Sequence, residues 1–128
     1  MRLLLDTHTF IWFIINSPQL NLTVKQLIED EKNEKLVSIA SIWEIAIKQN
    51  TGKLSFGLPF QEFVEQQLSV NSISLQNINL DHINVIESLP LHHRDPFDRL
   101  IIAQGMVEHL PILSADSIFD AYPIQRFW

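Results

Sequence analysis

Apolar and polar positions along the chain follow two rhythms, one suited to buried strands and one to helices. Leu3-Leu4-Leu5 has no polar face, and so short an apolar run reads as a strand covered on both sides, as in a parallel sheet between helices. Thr9-Phe10-Ile11-Trp12-Phe13-Ile14-Ile15 is apolar nearly all round and stops at Asn16-Ser17-Pro18, which predicts a buried helix ended before proline. A second helix carries Val24, Leu27 and Ile28 as its stripe, with Asn21 or Thr23 as cap and Glu29-Asp30-Glu31-Lys32 as a solvated face. Lys35 to Ile39 reads as a strand. Ser41 is expected to cap a third helix, Ile42 to about Asn50, closed by Gly52.

Pro59 suits the first turn of a further helix, in which Phe60, Phe63, Val64 and Leu68 recur at helical spacing. Ser72 to Leu75 alternates like an edge strand. Asp81, Ile83, Val85, Ile86 and Leu89 suggest a short helix ended by Pro90. Asp95-Pro96-Phe97 opens a long helix to about Glu108, and Pro111 to Ser114 is a strand that stops at Asp116. Phe119 to Trp128 is too broken by proline for an assignment. Strands alternating with helices imply right-handed crossovers, so the expected class is α/β, a central parallel sheet with helices on both faces.

Composition narrows this picture. At 128 residues, 46% of them hydrophobic and only three of them Gly, the chain suits one ordered domain with a proper core. Cys is absent, which excludes disulfides and thiolate metal sites and fits a reducing cytoplasm. Asp6, His8 and Thr9 interrupt the first apolar run, so it is read neither as a secretory leader nor as a membrane span. A soluble cytoplasmic protein is expected. The net charge of -6 opposes a nucleic-acid binder that relies on a broadly basic surface. It does not oppose an acidic site that meets nucleic acid through a metal ion.

Four acids lie at strand-to-helix junctions. Asp6 ends the first strand, Glu44 sits in the helix after the Leu36 strand, Asp98 lies in the first turn after Asp95-Pro96, and Asp116 follows the Ile112 strand. Crossover topology brings such junctions to one rim, where open α/β sheets place their ligands. Each acid also has an ordinary reading. Asp95 and Asp98 resemble a capping arrangement, Glu44 and Lys48 are spaced as a surface pair, and Asp116 suits a turn. Asp6 is hardest to explain that way, because burying a carboxylate at a strand end is costly without a partner. Two carboxylates roughly 4–5 Å apart repel by about 3–4 kcal/mol at an effective dielectric near 20, so a cluster needs protons or a hard cation. Oxygen ligands without Cys favour Mg²⁺ or Mn²⁺ over Zn²⁺. Such an ion activates water and neutralises phosphate charge, which suits phosphodiester hydrolysis. Lys48, Arg94 and Arg99 are candidate phosphate contacts. The five histidines lack paired-ligand spacing and are not read as a site.

Four segments in order, Leu4-Leu5-Asp6-Thr7-His8, Ser41-Ile42-Trp43-Glu44-Ile45-Ala46-Ile47-Lys48, Asp95-Pro96-Phe97-Asp98-Arg99-Leu100-Ile101-Ile102-Ala103-Gln104 and Ser114-Ala115-Asp116, resemble the PIN-domain family. More narrowly, they resemble the VapC-type toxins of bacterial toxin–antitoxin pairs. The resemblance spans the chain and implies a single PIN domain over residues 1–128 with about five parallel strands. It implies an Mg²⁺- or Mn²⁺-dependent endoribonuclease that hydrolyses RNA through a metal-activated water. It also implies a cognate antitoxin and a homodimer within the toxin–antitoxin complex. The family's four acids fall on Asp6, Glu44, Asp98 and Asp116, with metal ligation carried most securely to Asp6 and Asp98. Thr7 and Ser114 are supporting groups, and Asp95 is either a ligand or a helix cap. Residues around Phe10, Trp12 and Phe60 are candidates to receive the antitoxin. The competing expectations are a catalytically silent PIN-like binding or regulatory module, and a phosphatase of small esters. The aspartyl-phosphate route is disfavoured because His8 stands where a second carboxylate would follow Asp6.

Overall fold

The computed structural model describes residues 1–128. Five strands, β1 (Arg2–Leu5), β2 (Glu34–Ser38), β3 (Ile73–Gln76), β4 (Ile112–Leu113) and β5 (Arg126–Phe127), form one sheet in the order β3-β2-β1-β4-β5. Every pairing is parallel. Leu4 of central β1 lies opposite Leu36 on one side and Ile112 on the other, and Leu5 lies opposite Val37 and Leu113. The helices are α1 (Thr7–Ile14), α2 (Leu22–Glu29), α3 (Ile39–Asn50), α4 (Phe60–Val70), α5 (Leu80–Ser88) and α6 (Pro96–Glu108).

Because side chains alternate across a strand, each strand serves both faces. Leu3, Leu5, Val37 and Leu113 join Phe10, Ile11, Val24, Ile28, Ile42, Ile45, Phe63 and Val64 in one core. Leu4, Leu36 and Ile112 join Ile101, Ile102, Leu110, Phe119 and Tyr122 in the other. All three leucines of β1 are fully buried, as a strand between two helical layers requires. In the second core α6 passes close over β4. A Cβ added to Gly105 would come within 2.7 Å of Ile112 Cδ1.

Local signals account for most boundaries. The Asn21 side chain accepts the Thr23 and Val24 amides at 2.8 and 3.3 Å. Gly52, at φ +77°, supplies the left-handed residue after α3. β3 is an edge strand. The third helix departs from expectation, because it begins at Ile39 and not at Ile42, and its cap is Ser38, which accepts the Ala40 amide at 3.0 Å. The sheet releases the chain after Ser38, so a hydroxyl at the strand end serves as cap and Ser41 falls inside the helix. The proline-broken C-terminus forms a short 3-10 turn, Ser117–Ala121, and then β5 at the other edge. No helix is long and apolar enough to cross a membrane.

Candidate active site

The carboxyl ends of β1 and β4 lie side by side, tied by the Asp6 amide donating to the Leu113 carbonyl at 3.1 Å. Thr9 adds a buried bond from its hydroxyl to the same carbonyl at 2.9 Å. Asp6 is the N-cap of α1. Its Oδ1 accepts the Thr9 amide at 2.9 Å, and the Ser114 hydroxyl donates to the same carboxyl group. With only 4% of its surface exposed, Asp6 has its pKa raised by burial, against the opposing effect of the Ser114 and Thr9 bonds.

Asp116 is held in a related way. Its Oδ1 accepts the Ile118 amide at 3.0 Å and so caps the 3-10 turn, while its own amide donates to Ser114 Oγ at 3.0 Å. Ser114 therefore connects Asp6 to Asp116, and the Asp116 Oδ2 faces the site. Asp98 comes in from the first turn of α6. Burial, and then the charges of Asp95, Asp6, Glu44 and Asp116, push its carboxyl up to about 8. The expected convergence of these acids is thus a feature of the folded chain, and Asp98 is its focus.

Glu44 is buried on α3 and pairs with Lys48 at 3.0 Å. Thr7 donates to the Ser41 hydroxyl at 2.9 Å, joining the start of α1 to α3 beneath the acids. Asp95 is the cap of α6, its Oδ1 accepting the Phe97 and Asp98 amides at 2.9 and 3.0 Å. A cleft of about 290 Å³, lined by Asp6, His8, Trp12, Ala115 and Asp116, opens beside the cluster.

Two expectations are corrected here. Arg99 does not present its guanidinium to a ligand: Nη1 donates to the carbonyls of Pro90 and His93, and Nη2 to that of Leu89. The break at Pro90 leaves those carbonyls without helical partners, and a buried cation satisfies them. Phe10, expected on an exposed apolar face, is 1% exposed and belongs to the core; Trp12 and Phe60 remain partly exposed.

His93 gives no ligand signal in the sequence, because adjacent histidines in a loop carry no ligand spacing. The fold brings its Nε2 to 2.8 Å from Asp116 Oδ2 and 3.2 Å from Asp98 Oδ2. The ligand atoms of His93, Asp98 and Asp116 lie within 4.8 Å of one another. The signal was the short spacing from His93 to Asp95-Pro96, which fixes the loop against the helix start. The donor set as a whole is carboxylate oxygen in a buried, mutually repelling group, and such a set fits a hard divalent cation.

A sequence search of curated proteins found no match. The PIN domain family model matches residues 3–125. Among solved structures, the fold is similar to that of VapBC2 from Rickettsia felis bound to a promoter DNA fragment. The TM-score is 0.74 at 15% identity, covering 99% of this chain and 98% of that one. It is also similar to VapBC-1 from nontypeable Haemophilus influenzae, with a TM-score of 0.66 at 12% identity over 99% and 97% of the two chains. FitAcB from Neisseria gonorrhoeae gives 0.64 at 17% identity over 98% and 96%. Matched almost from end to end, and carrying its acids where the central parallel strands release the chain, this protein belongs to the PIN-domain family.

Proposed function

We propose that the chain is a divalent-metal-dependent endoribonuclease, the toxin of a toxin–antitoxin pair. The observation that carries this reading is Asp98, a carboxyl on which four other acids act at once and whose ionisation they oppose. A protein gains nothing in stability from such a cluster. A cation that replaces the Asp98 proton turns the repulsion into binding energy.

Asp6 and Asp98 would hold the ion, with Asp116 beside them and Glu44 completing the acidic wall. Mg²⁺ or Mn²⁺ bound there supplies Lewis-acid activation of water and charge neutralisation at the scissile phosphodiester. The chain's own groups prepare the site. Ser114 orients Asp6 and the Asp116 loop, Thr7 braces α1 against α3 through Ser41, and Lys48 holds Glu44 in place. Lys48, partly exposed, and Arg94, exposed, are the remaining candidates for an RNA phosphate contact. The toxin assignment is supported by the similar solved structures, VapBC2, VapBC-1 and FitAcB, the first of them bound to promoter DNA. The partners proposed on that basis are RNA, a cognate antitoxin and a second copy of the chain, in the cytoplasm, with residues 1–128 acting as one domain.

The test is cleavage of a mixed cellular RNA pool by the purified chain freed of small co-purifying protein, with Mg²⁺, Mn²⁺ or EDTA, beside Asp6→Asn. Discrete fragments that require the metal and vanish in the variant are expected. Intact RNA in every lane, with the protein folded, would favour a silent binding module.

A further inference from the structure

His93 stands in the acid cluster with a ring nitrogen close enough to serve as a metal ligand, and its hydrogen bonds say otherwise. The ring is 9% exposed and lies edge-on to Phe119 at 5.6 Å between centroids. The surrounding backbone is tied down on both sides. The His93 amide donates to the Tyr122 hydroxyl at 2.7 Å, Tyr122 donates to the Pro90 carbonyl at 2.6 Å, and Arg99 donates to the His93 carbonyl at 3.0 Å.

The tautomer follows from the other ring nitrogen. Nδ1 accepts the Asp95 backbone N–H at 3.2 Å. A backbone amide has no choice but to donate, so Nδ1 carries the lone pair and the ring hydrogen resides on Nε2. That N–H donates to Asp116 Oδ2 at 2.8 Å, and Asp98 Oδ2 lies 3.2 Å from the same nitrogen. Ligation through Nε2 would require the hydrogen on Nδ1, where it would face the Asp95 N–H, donor against donor.

We infer that His93 is a positioning residue of the acid centre and not one of its ligands: its Nε2–H donates to Asp116 and fixes that carboxylate beside Asp98. The inference rests on the metal-centre reading above and deepens it. Asp116 follows β4 and Asp98 stands on α6, and the His93 ring holds the first by a hydrogen bond while packing at 3.2 Å from the second. A group that orients metal-binding carboxylates in this way contributes to affinity without touching the ion.

Two measurements test this on the intact chain. Long-range ¹H–¹⁵N NMR of the wild-type histidines reads the ring directly, without metal and with saturating Mg²⁺. The expected spectrum has a bare Nδ1 and a protonated Nε2 for His93 in both states. A hydrogen on Nδ1, or loss of the Nε2 hydrogen on adding Mg²⁺, overturns the inference. Calorimetric titration with Mn²⁺ then compares wild type, His93→Gln and His93→Leu, each checked for folding by circular dichroism. Glutamine can place an N–H near the Nε2 position, so its affinity is expected within about threefold of wild type, whereas leucine weakens binding by roughly 10–100-fold. Leucine binding as tightly as wild type, or glutamine failing as badly as leucine, contradicts the positioning role. A wild-type chain that binds no Mn²⁺ sinks the proposed metal centre instead, and the ring spectrum alone then decides the role of His93.

Discussion

The Asp95 carboxylate accepts the amide of Asp98 at 3.0 Å, so the acid that starts α6 also fixes the backbone of the acid at the centre of the cluster. The two aspartates of the Asp-Pro-Phe-Asp segment thereby divide the work, one capping and one facing the rim. Asp95→Asn preserves a good cap and removes one of the charges that raise the Asp98 pKa. It is expected to fold normally and keep its RNA cleavage. Asp95→Ala is expected to lose about 1 kcal/mol of stability by chemical denaturation. Loss of all cleavage in a well-folded Asp95→Asn chain would instead make Asp95 a direct participant.

Asp98 also makes stability depend on pH in an unusual direction. An aspartate in an unfolded chain ionises near pH 4, by about the ordinary value, while in the folded chain Asp98 keeps its proton up to about 8. Between those limits the native state binds more protons than the unfolded state, so this group's effect on stability falls as pH rises. Asp6, raised by burial, acts in the same sense. Thermal melts of the metal-free protein should therefore show Tm declining across this window, more steeply in wild type than in Asp98→Asn. Mg²⁺ should restore Tm, and most strongly at the alkaline end, where it no longer competes with the proton. Equal slopes in the two proteins would mean that Asp98 ionises as an ordinary aspartate.

Arg99 is predicted to matter for folding and not for substrate. Arg99→Met leaves the carbonyls of Leu89 and His93 without their donor, and Pro90 with the Tyr122 hydroxyl alone, at a cost of roughly 2–4 kcal/mol. Urea denaturation measures the loss. In conditions where the variant is folded, its KM for RNA should match that of wild type; a raised KM with unchanged stability would return Arg99 to the phosphate contacts.

Gly105 is predicted to be needed for the approach of α6 to β4. Alanine there would meet the Ile112 side chain at 2.7 Å and the Leu110 carbonyl at 3.3 Å. Ile112 is fully buried, so its Cδ1 must shift within the core to admit the methyl group. Overpacking of this kind costs about 1–3 kcal/mol, outweighing the gain in helix propensity. A Gly105→Ala chain as stable as wild type would show that the second core is looser than its packing indicates.

These relationships differ in how plainly the residues announced them. The Leu3-Leu4-Leu5 run reads as a doubly covered strand because burial on both faces leaves no alternation, and Asp6 then stands out as a charge with nowhere ordinary to go. Asp95-Pro96 marks a helix start by local chemistry alone. Ser38 was hidden because the last residue of a strand and the cap of a helix can be the same residue. β5 makes only a two-residue pairing, Ile112 with Arg126 and Leu113 with Phe127, too short to leave a period. His93 and Asp116 are 23 residues apart and meet only through the tertiary fold. The charge of Arg99 suggests a surface residue, although its i+3 and i+4 neighbours, Ile102 and Ala103, share its buried side of α6. Phe10 lies in a helix that is apolar nearly all round, a pattern that favours the core over an exposed face. Signals carried by neighbouring residues were legible; those created by contact across the sheet rim were not.

The central claim is that the acids at the rim form one cation centre, and the most direct measurement is an anomalous difference map from crystals soaked in Mn²⁺. The account predicts a single strong peak between Asp6, Asp98 and Asp116, absent from crystals of Asp98→Asn, with the His93 ring beside these acids and outside the coordination sphere. A peak bonded to the His93 nitrogen would contradict the positioning role. No peak at the acids, in crystals whose Mn²⁺ is visible elsewhere, would contradict the metal centre itself.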